Sequence, residues 1–371
     1  MAQTPTASEP LRIGIIGCGQ IAQAHAAALR FLADDGVARV SAIADPDPAG
    51  IERIAAIVGD LERSYTDGAD LIDDPSVDAV AVVAPTRFHR DLIAAVASAA
   101  KPLFAEKPLA PNFATVCEIA DSIRASGIPA QVGFQSRFHP IIRRLRDWVV
   151  EGELGAPMAY LIRDDQFWPT GSVVPGHTSW RAERAQAGGG ALLEHSIHSC
   201  DVACWLFGPV VRVYATTRHV FGFDVEDVAA LTIEHDSGVV GTLVTVFNGV
   251  RDREERRIEI FFERAAVEAT TDFIVGAPED SLLLKQDGSP AEQLDVDALR
   301  RSRFAADGFD PNREVFVYQY FGYAAFAAAL RRGVDPTPGI ADAVRAHEVV
   351  EAGYRSASTK GPVTVASLQR A

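Results

Sequence analysis

A chain of 371 residues, 48% hydrophobic and 23% charged, is long enough for two packed domains and too apolar to stay disordered. Its formal net charge of −15 argues against nucleic acid and anionic membranes as partners, because phosphate repels such a chain at long range, and leaves a small molecule as the expected ligand. Four cysteines, Cys18, Cys117, Cys200 and Cys204, are too sparse for a disulfide framework and fit a reducing cytoplasm.

Residues 1–10, MAQTPTASEP, are polar and proline-bearing and read as a flexible tail. No apolar run approaches a membrane span. RIGIIGCGQIAQAHAAALRFL begins as an apolar strand, turns through glycines and continues as an alanine-rich helix. VSAIADPDP, DAVAVVAPT, PLFAEKP and PAQVGF follow as buried strands, with the helical stretches IERIAAIV, HRDLIAAVASAA and FATVCEIADSIRAS between them. This alternation predicts an α/β domain with a doubly wound parallel sheet over residues 11–133, a Rossmann domain.

After Gly133 the rhythm changes. An amphipathic segment, PIIRRLRDWVVEG, leads into alternating runs: PMAYLIRDD, VVRVYATTRHV, VAALTIEH, GVVGTLVTVFN and RRIEIFFE. These predict a large open sheet, antiparallel or mixed, with one face covered. Two helices near the end, VFVYQYFGYAAFAAALRRG and IADAVRAHEVVEAGYRSA, cover part of it, and PVTVAS reads as a last strand. Residues 134–371 are thus expected to form a substrate-binding and oligomerising α+β domain, with the last helix free to pack back on the first. Residues 166–190 have little periodicity and read as a loop over a site.

Three motifs carry chemistry. Gly17-Cys18-Gly19-Gln20-Ile21-Ala22 matches G-x-G-x-x-A between a strand and a helix, where the first glycine permits the turn and the second lets the backbone reach a pyrophosphate. Asp45, at the end of the second strand, can accept a ribose 2′-hydroxyl and would repel a 2′-phosphate. NAD is therefore expected, with NADP open because side chains outside the fingerprint can accommodate the phosphate. The competing reading of Asp45 is a turn carboxylate before Pro46. Glu106-Lys107-Pro108 sits at the carboxyl end of the fourth buried strand, where open parallel sheets bind ligands. The chain has only four lysines, Lys101, Lys107, Lys285 and Lys360. A lysine ammonium suits polarising or protonating an oxygen during hydride transfer; the alternative is a strand-end lysine paired with Glu106.

The third motif is GGGALLEHSIHSCD, residues 188–201. On a helix from Leu192, His198 falls about 40° from Glu194 and Asp201 about −20°, while Cys200 and Cys204 fall near −120° and −80°. The thiols point away from His198, so no metal is expected and the cysteines read as core. Glu194 can orient and charge-tune His198 for proton exchange with a substrate hydroxyl, with His195 at the edge of that face. A structural histidine near a helix start is the competing reading. The glycines would let the chain approach a ligand.

Together GCGQIA, AEKPLA and GGGALLEHSIHSCD, in this order, resemble the glucose-fructose oxidoreductase / inositol dehydrogenase / rhizopine-catabolism (Gfo/Idh/MocA) family. The ending IADAVRAHEVVEAGYRSASTKGPV is similar to that family's last helix and strand. The resemblance implies reversible hydride transfer between nicotinamide and a secondary alcohol of a sugar, inositol or related polyol. Lys107 would hydrogen-bond the reacting oxygen and His198 would be the general acid/base. Glu194 stands where the family often has aspartate. The resemblance also implies Pro85 and His89 beside the nicotinamide, a pocket-facing Arg137, and a homodimer or homotetramer formed through the second sheet. Trp168, His177 and Trp180, from the irregular loop, are candidates for the apolar face of a sugar, with packing as their alternative. Two other functions fit the same residues: an NAD-dependent glycosidase working by transient oxidation and elimination, and a non-catalytic NAD- or sugar-binding protein.

Overall fold

Leu11–Ile16 (β1) is apolar on nearly every residue, as a strand buried on both faces requires, and in the computed structural model it lies in the middle of a six-stranded parallel sheet. The structure describes residues 9–167, 179–250, 254–271, 280–312 and 318–365. After β1 come α1 (Gln20–Asp34), β2 (Ala38–Ala44), α2 (Pro48–Val58), β3 (Arg63–Tyr65), α3 (Gly68–Asp73), β4 (Ala79–Val82), α4 (His89–Ser98), β5 (Leu103–Ala105), α5 (Phe113–Ser126) and β6 (Ala130–Val132). The strand order β3-β2-β1-β4-β5-β6 reverses between β1 and β4, so the loops after these strands open a crevice at their carboxyl ends. Helix starts are marked locally: Asp47 caps α2 ahead of Pro48, and Asn112 caps α5. β3 and α3 carry no apolar periodicity, and the sequence reading does not contain them.

The chain continues through α6 (Pro140–Glu151), β7 (Pro157–Phe167), α7 (Arg184–Ala187), a π-helical turn (Ala191–His195), α8 (Ile197–Phe207), β8 (Val210–Arg218), β9 (Val228–His235) and β10 (Val240–Asn248). There follow β11 (Glu255–Phe262), β12 (Ala265–Thr271), β13 (Ser281–Gln286), β14 (Glu292–Gln293), α9 (Val296–Ala306), α10 (Gln319–Arg332), α11 (Ile340–Thr359) and β15 (Val363–Thr364). A nine-stranded sheet runs β14-β13-β12-β11-β7-β10-β9-β8-β15. Only β7 and β10 pair in parallel, with Val240 opposite Ala159 and Asn248 opposite Phe167; the other pairs are antiparallel. One face is core, with Tyr160, Ile162, Leu231, Leu243, Ile258 and Ile260 buried. The other exposes Leu161, Tyr214, Val240 and Phe261.

Two compact units result. The first holds residues 1–135, 185–188 and 317–344; the second holds 136–184, 189–316 and 345–371. Residues 317–344 thus belong with the first unit, whereas the sequence reading ran the second domain without interruption from 134 to 371. It is α10 that packs on the parallel-sheet unit. Tyr323 stacks on Phe104 at 4.4 Å, Phe326 meets the same ring edge-on at 5.9 Å, and the Tyr320 hydroxyl donates to Asp35 at 2.8 Å. Among the described residues no helix is long and apolar enough to cross a membrane.

Candidate functional site

In the first unit the glycine turn is set by sterics. Gly17 has φ +103°, and a Cβ there would lie 2.6 Å from the Ala84 backbone nitrogen. Gly19 faces open space instead. It begins α1 without any side-chain cap, no acidic residue follows in the first turn, and Gly19, Gln20 and Ile21 are exposed. The first N–H groups of a 15-residue helix are therefore bare, the arrangement that fits a pyrophosphate. Asp45 Oδ2 accepts the Cys18 N–H at 2.6 Å and Oδ1 accepts the Asp47 N–H at 2.8 Å. The carboxylate thus braces the turn, and its further lone pairs can accept a hydroxyl. Burial, then the Asp45 charge, pushes the Cys18 thiol up to about 12, so it stays protonated.

Pro85 follows β4, half-buried. His89 opens α4 at 1% exposure, with Nε2 2.8 Å from the Ala84 carbonyl and Nδ1 3.3 Å from the Leu109 carbonyl. Its ring ties the loops after β4 and β5 together. Glu106 is buried and Lys107 half-buried at the end of β5. The Lys107 backbone N–H donates to Glu106 Oε2 at 2.9 Å. Glu106 Oε1 lies 3.0 Å from His25 Nε2, and His25 Nδ1 lies 2.7 Å from the Tyr323 hydroxyl. His25 and Tyr323 escaped the sequence reading. The one is hidden in an alanine-rich helix, the other almost 300 residues away, at a separation of 298.

The three glycines 188–190, the first in unit one and the other two in unit two, meet protein. A Cβ on Gly188 would lie 2.0 Å from the Pro111 carbonyl oxygen within the first unit, on Gly189 2.1 Å from the Tyr354 hydroxyl, and on Gly190 1.8 Å from the Glu226 carbonyl oxygen. The close approach that these glycines permit is thus to Pro111, Tyr354 and Glu226. The Glu226 carboxylate accepts the N–H groups of Gly190 at 2.9 Å and Leu192 at 3.0 Å and the Tyr354 hydroxyl at 2.8 Å. It satisfies donors that a helix start leaves orphaned.

The helix itself does not begin as drawn from the sequence. Ala191–His195 is a π turn, closed by the Ser196 N–H on the Ala191 carbonyl at 2.9 Å, and α8 starts only at Ile197. The 100° step therefore fails between residues 194 and 198, and the wider turn sets where Glu194, His195 and His198 point. All three are buried, at 6%, 3% and 3% exposure. Glu194 Oε2 accepts from Arg181 Nε at 3.2 Å, and the Arg181 guanidinium lies over the Trp180 ring at 4.5 Å. One face of Trp180 is thereby occupied. Trp168 and His177 lie outside the described residues.

Arg137 is engaged within the protein. Its Nε and Nη2 donate to Asp201 at 2.7 and 2.6 Å, both partners are buried, and the fork is closed on α8. Asp164, fully buried, accepts Arg256 Nε at 2.6 Å and the Ser196 hydroxyl at 2.7 Å, while Arg256 Nη1 donates to the Ser136 hydroxyl at 2.9 Å. Burial pushes the Asp164 carboxyl up, but Arg256, His195 and the Ser199 and Ser196 hydroxyls outweigh it and hold the carboxyl below its ordinary range. A signal for this pair existed: Asp164 continues the inward register of Tyr160 and Ile162, and Arg256 that of Ile258 and Ile260. Charge on a core face asks for a buried partner. Cys200 and Cys204 pack as expected, both thiols raised by burial, Cys204 to about 12.

The first unit thus offers an anion-binding helix end and a lysine at strand ends, and the second a buried acid and two histidines. Residues 11–134 match the NAD-binding Rossmann fold of the GFO/IDH/MocA oxidoreductase family, and residues 142–268 match that family's C-terminal domain. Myo-inositol 2-dehydrogenase of Thermotoga maritima is 29% identical over 263 residues, 69% of this chain and 74% of that one. Inositol 2-dehydrogenase of Acidothermus cellulolyticus is 33% identical over 204 residues, 54% of this chain and 55% of that one. A solved structure of levoglucosan dehydrogenase in complex with NADH superposes with a TM-score of 0.85 at 22% identity, covering 96% of this chain and 99% of the other.

Proposed function

This chain belongs to the GFO/IDH/MocA oxidoreductase family, and on that premise we propose that it transfers a hydride between NAD and a secondary alcohol or ketone carbon of a sugar, inositol or related polyol. The observation that carries the reading is the bare N-terminus of α1 behind the Gly17 turn, in the same unit as Lys107. Gly19, Gln20 and Ile21 hold the pyrophosphate, and Asp45 accepts the ribose hydroxyl and disfavours a 2′-phosphate. When bound, the nicotinamide supplies the hydride donor or acceptor. Lys107 donates a hydrogen bond to the reacting oxygen and stabilises its developing charge. His198 accepts the hydroxyl proton, with Glu194 as its charge partner and Arg181 fixing the Glu194 carboxylate. Pro85, Trp180 and His195 line the reacting groups in this reading.

The relatives named above are dehydrogenases, which favours net hydride transfer over redox-neutral glycoside cleavage or ligand binding alone. In the same reading the outward face of the second sheet pairs with a second copy, since Leu161, Tyr214, Val240 and Phe261 stand exposed on it.

Absorbance of reduced nicotinamide, followed with NAD⁺ or NADP⁺ over a panel of sugars, inositols and sugar acids, tests the activity. With the substrate so found, Lys107→Met is expected to lower kcat by about 10²-fold or more while NAD⁺ affinity changes little. Undiminished turnover would remove Lys107 from the mechanism.

A further inference from the structure

The Glu106 carboxylate is held on every side. Oε2 takes the Lys107 backbone N–H at 2.9 Å, Oε1 takes His25 Nε2 at 3.0 Å and the Gln135 amide at 3.5 Å, and Gly133 comes so close that a Cβ would sit 2.5 Å from Oε1. His25 is fully buried on α1, and its Nδ1 lies 2.7 Å from the hydroxyl of Tyr323, which α10 carries into the same unit. Burial, then the Glu106 charge, raises the Tyr323 phenol well above its ordinary value, so its O–H is present to donate. With the Tyr323 hydroxyl donating to Nδ1, the imidazole presents its Nε2–H to Oε1. The other tautomer would face a lone pair to an anionic oxygen in a buried site. Tyr323 is itself fully buried, so the line of hydrogen bonds ends inside the protein and holds geometry instead of carrying protons to solvent.

We propose that His25 and Tyr323 are positioning residues for Lys107: Tyr323 fixes the His25 tautomer, His25 fixes the Glu106 carboxylate, and Glu106 fixes the backbone from which the lysine side chain extends. The consequence for turnover rests on the proposed role of Lys107 at the reacting oxygen; the consequence for its placement does not. Displacement of a catalytic group by an ångström is enough to cost about 10²-fold in rate.

With only four lysines in the chain, the Lys107 amine can be followed alone. Brief acetylation of the full-length protein, read by peptide mass spectrometry, gives the rate at Lys107 relative to Lys285 in the same sample. Tyr323→Phe and His25→Leu are expected to change that ratio threefold or more, and His25→Gln, whose amide can still donate to Oε1, to restore it partly. In the substrate assay kcat should fall tenfold or more in the first two variants with NAD⁺ affinity little changed. An unaltered ratio in folded Tyr323→Phe, which loses one oxygen atom and decides the matter should His25→Leu fail to fold, overturns the proposal. A shifted ratio together with full activity of Lys107→Met would support the positioning and refute the catalytic reading of Lys107.

Discussion

Arg137 and Asp201 illustrate how a residue chosen for a ligand can belong to the scaffold. Both are buried and joined by two short hydrogen bonds, so neither can lose its partner without leaving an uncompensated charge in the interior. Asp201→Asn is expected to destabilise the second unit by about 3–5 kcal/mol, and Asp201→Asn combined with Arg137→Met to recover much of that loss, as read from urea melts. Asp74 gives a pH-dependent counterpart. Burial pushes its carboxyl up, but the Ser76 N–H and hydroxyl, the Tyr65 hydroxyl and Arg63 outweigh it and hold the carboxyl at about 2. Because the folded value lies below the ordinary 3.8, its stabilisation is complete above that pH and is lost as pH falls toward about 2. Thermal melts between pH 4 and 2 should therefore fall less steeply for Asp74→Asn than for the native chain.

At the scale of elements, glycine-rich starts that look alike in sequence do different work. A Cβ on Gly19 would meet nothing within 4 Å beyond its chain neighbours, whereas a Cβ on Gly190 would lie 1.8 Å from the Glu226 carbonyl oxygen. Gly19→Ala is expected to fold normally and weaken NAD⁺ binding, seen by calorimetric titration. Gly190→Ala is expected to lose more than about 4 kcal/mol of stability or to accumulate as insoluble protein, because backbone cannot yield as a side-chain tip does. Most elements were legible: β1, β2, β4 and β7 to β11 follow from apolar runs or strict alternation. β3, α3, β12 to β14 and α9 were not: β3 and β14 are three and two residues long, α3 and α9 are rich in charge, and the apolar cores of β12 and β13 span only a few residues. The π turn was invisible for another reason. It starts where Glu226 accepts the Gly190 and Leu192 N–H groups and the Tyr354 hydroxyl, partners 32 and 160 residues past Glu194, and no local periodicity encodes them.

At the scale of the molecule, the open face of the nine-stranded sheet is a surface where, among the described residues, alternation leaves Leu161, Tyr214, Val240 and Phe261 outward. If it pairs with a second copy, Leu161→Glu together with Phe261→Glu should reduce the mass in solution, measured by light scattering, to that of one chain while circular dichroism stays native; an unchanged mass would place the contact elsewhere or show that none forms. By itself the sequence determined the parallel and mostly antiparallel sheets, the helix end suited to a dinucleotide, and the order of Lys107, Glu194 and His198, because strand period, glycine turns and motif spacing are local properties of the chain. Only the tertiary structure decided that α10 returns to the first unit, that Tyr323 meets His25 and Glu106, that Arg137 closes on Asp201, and that Arg181 engages Glu194. Those pairings join residues up to 298 positions apart, and each forms because a charged or polar group removed from water must find a partner wherever the packed chain happens to bring one.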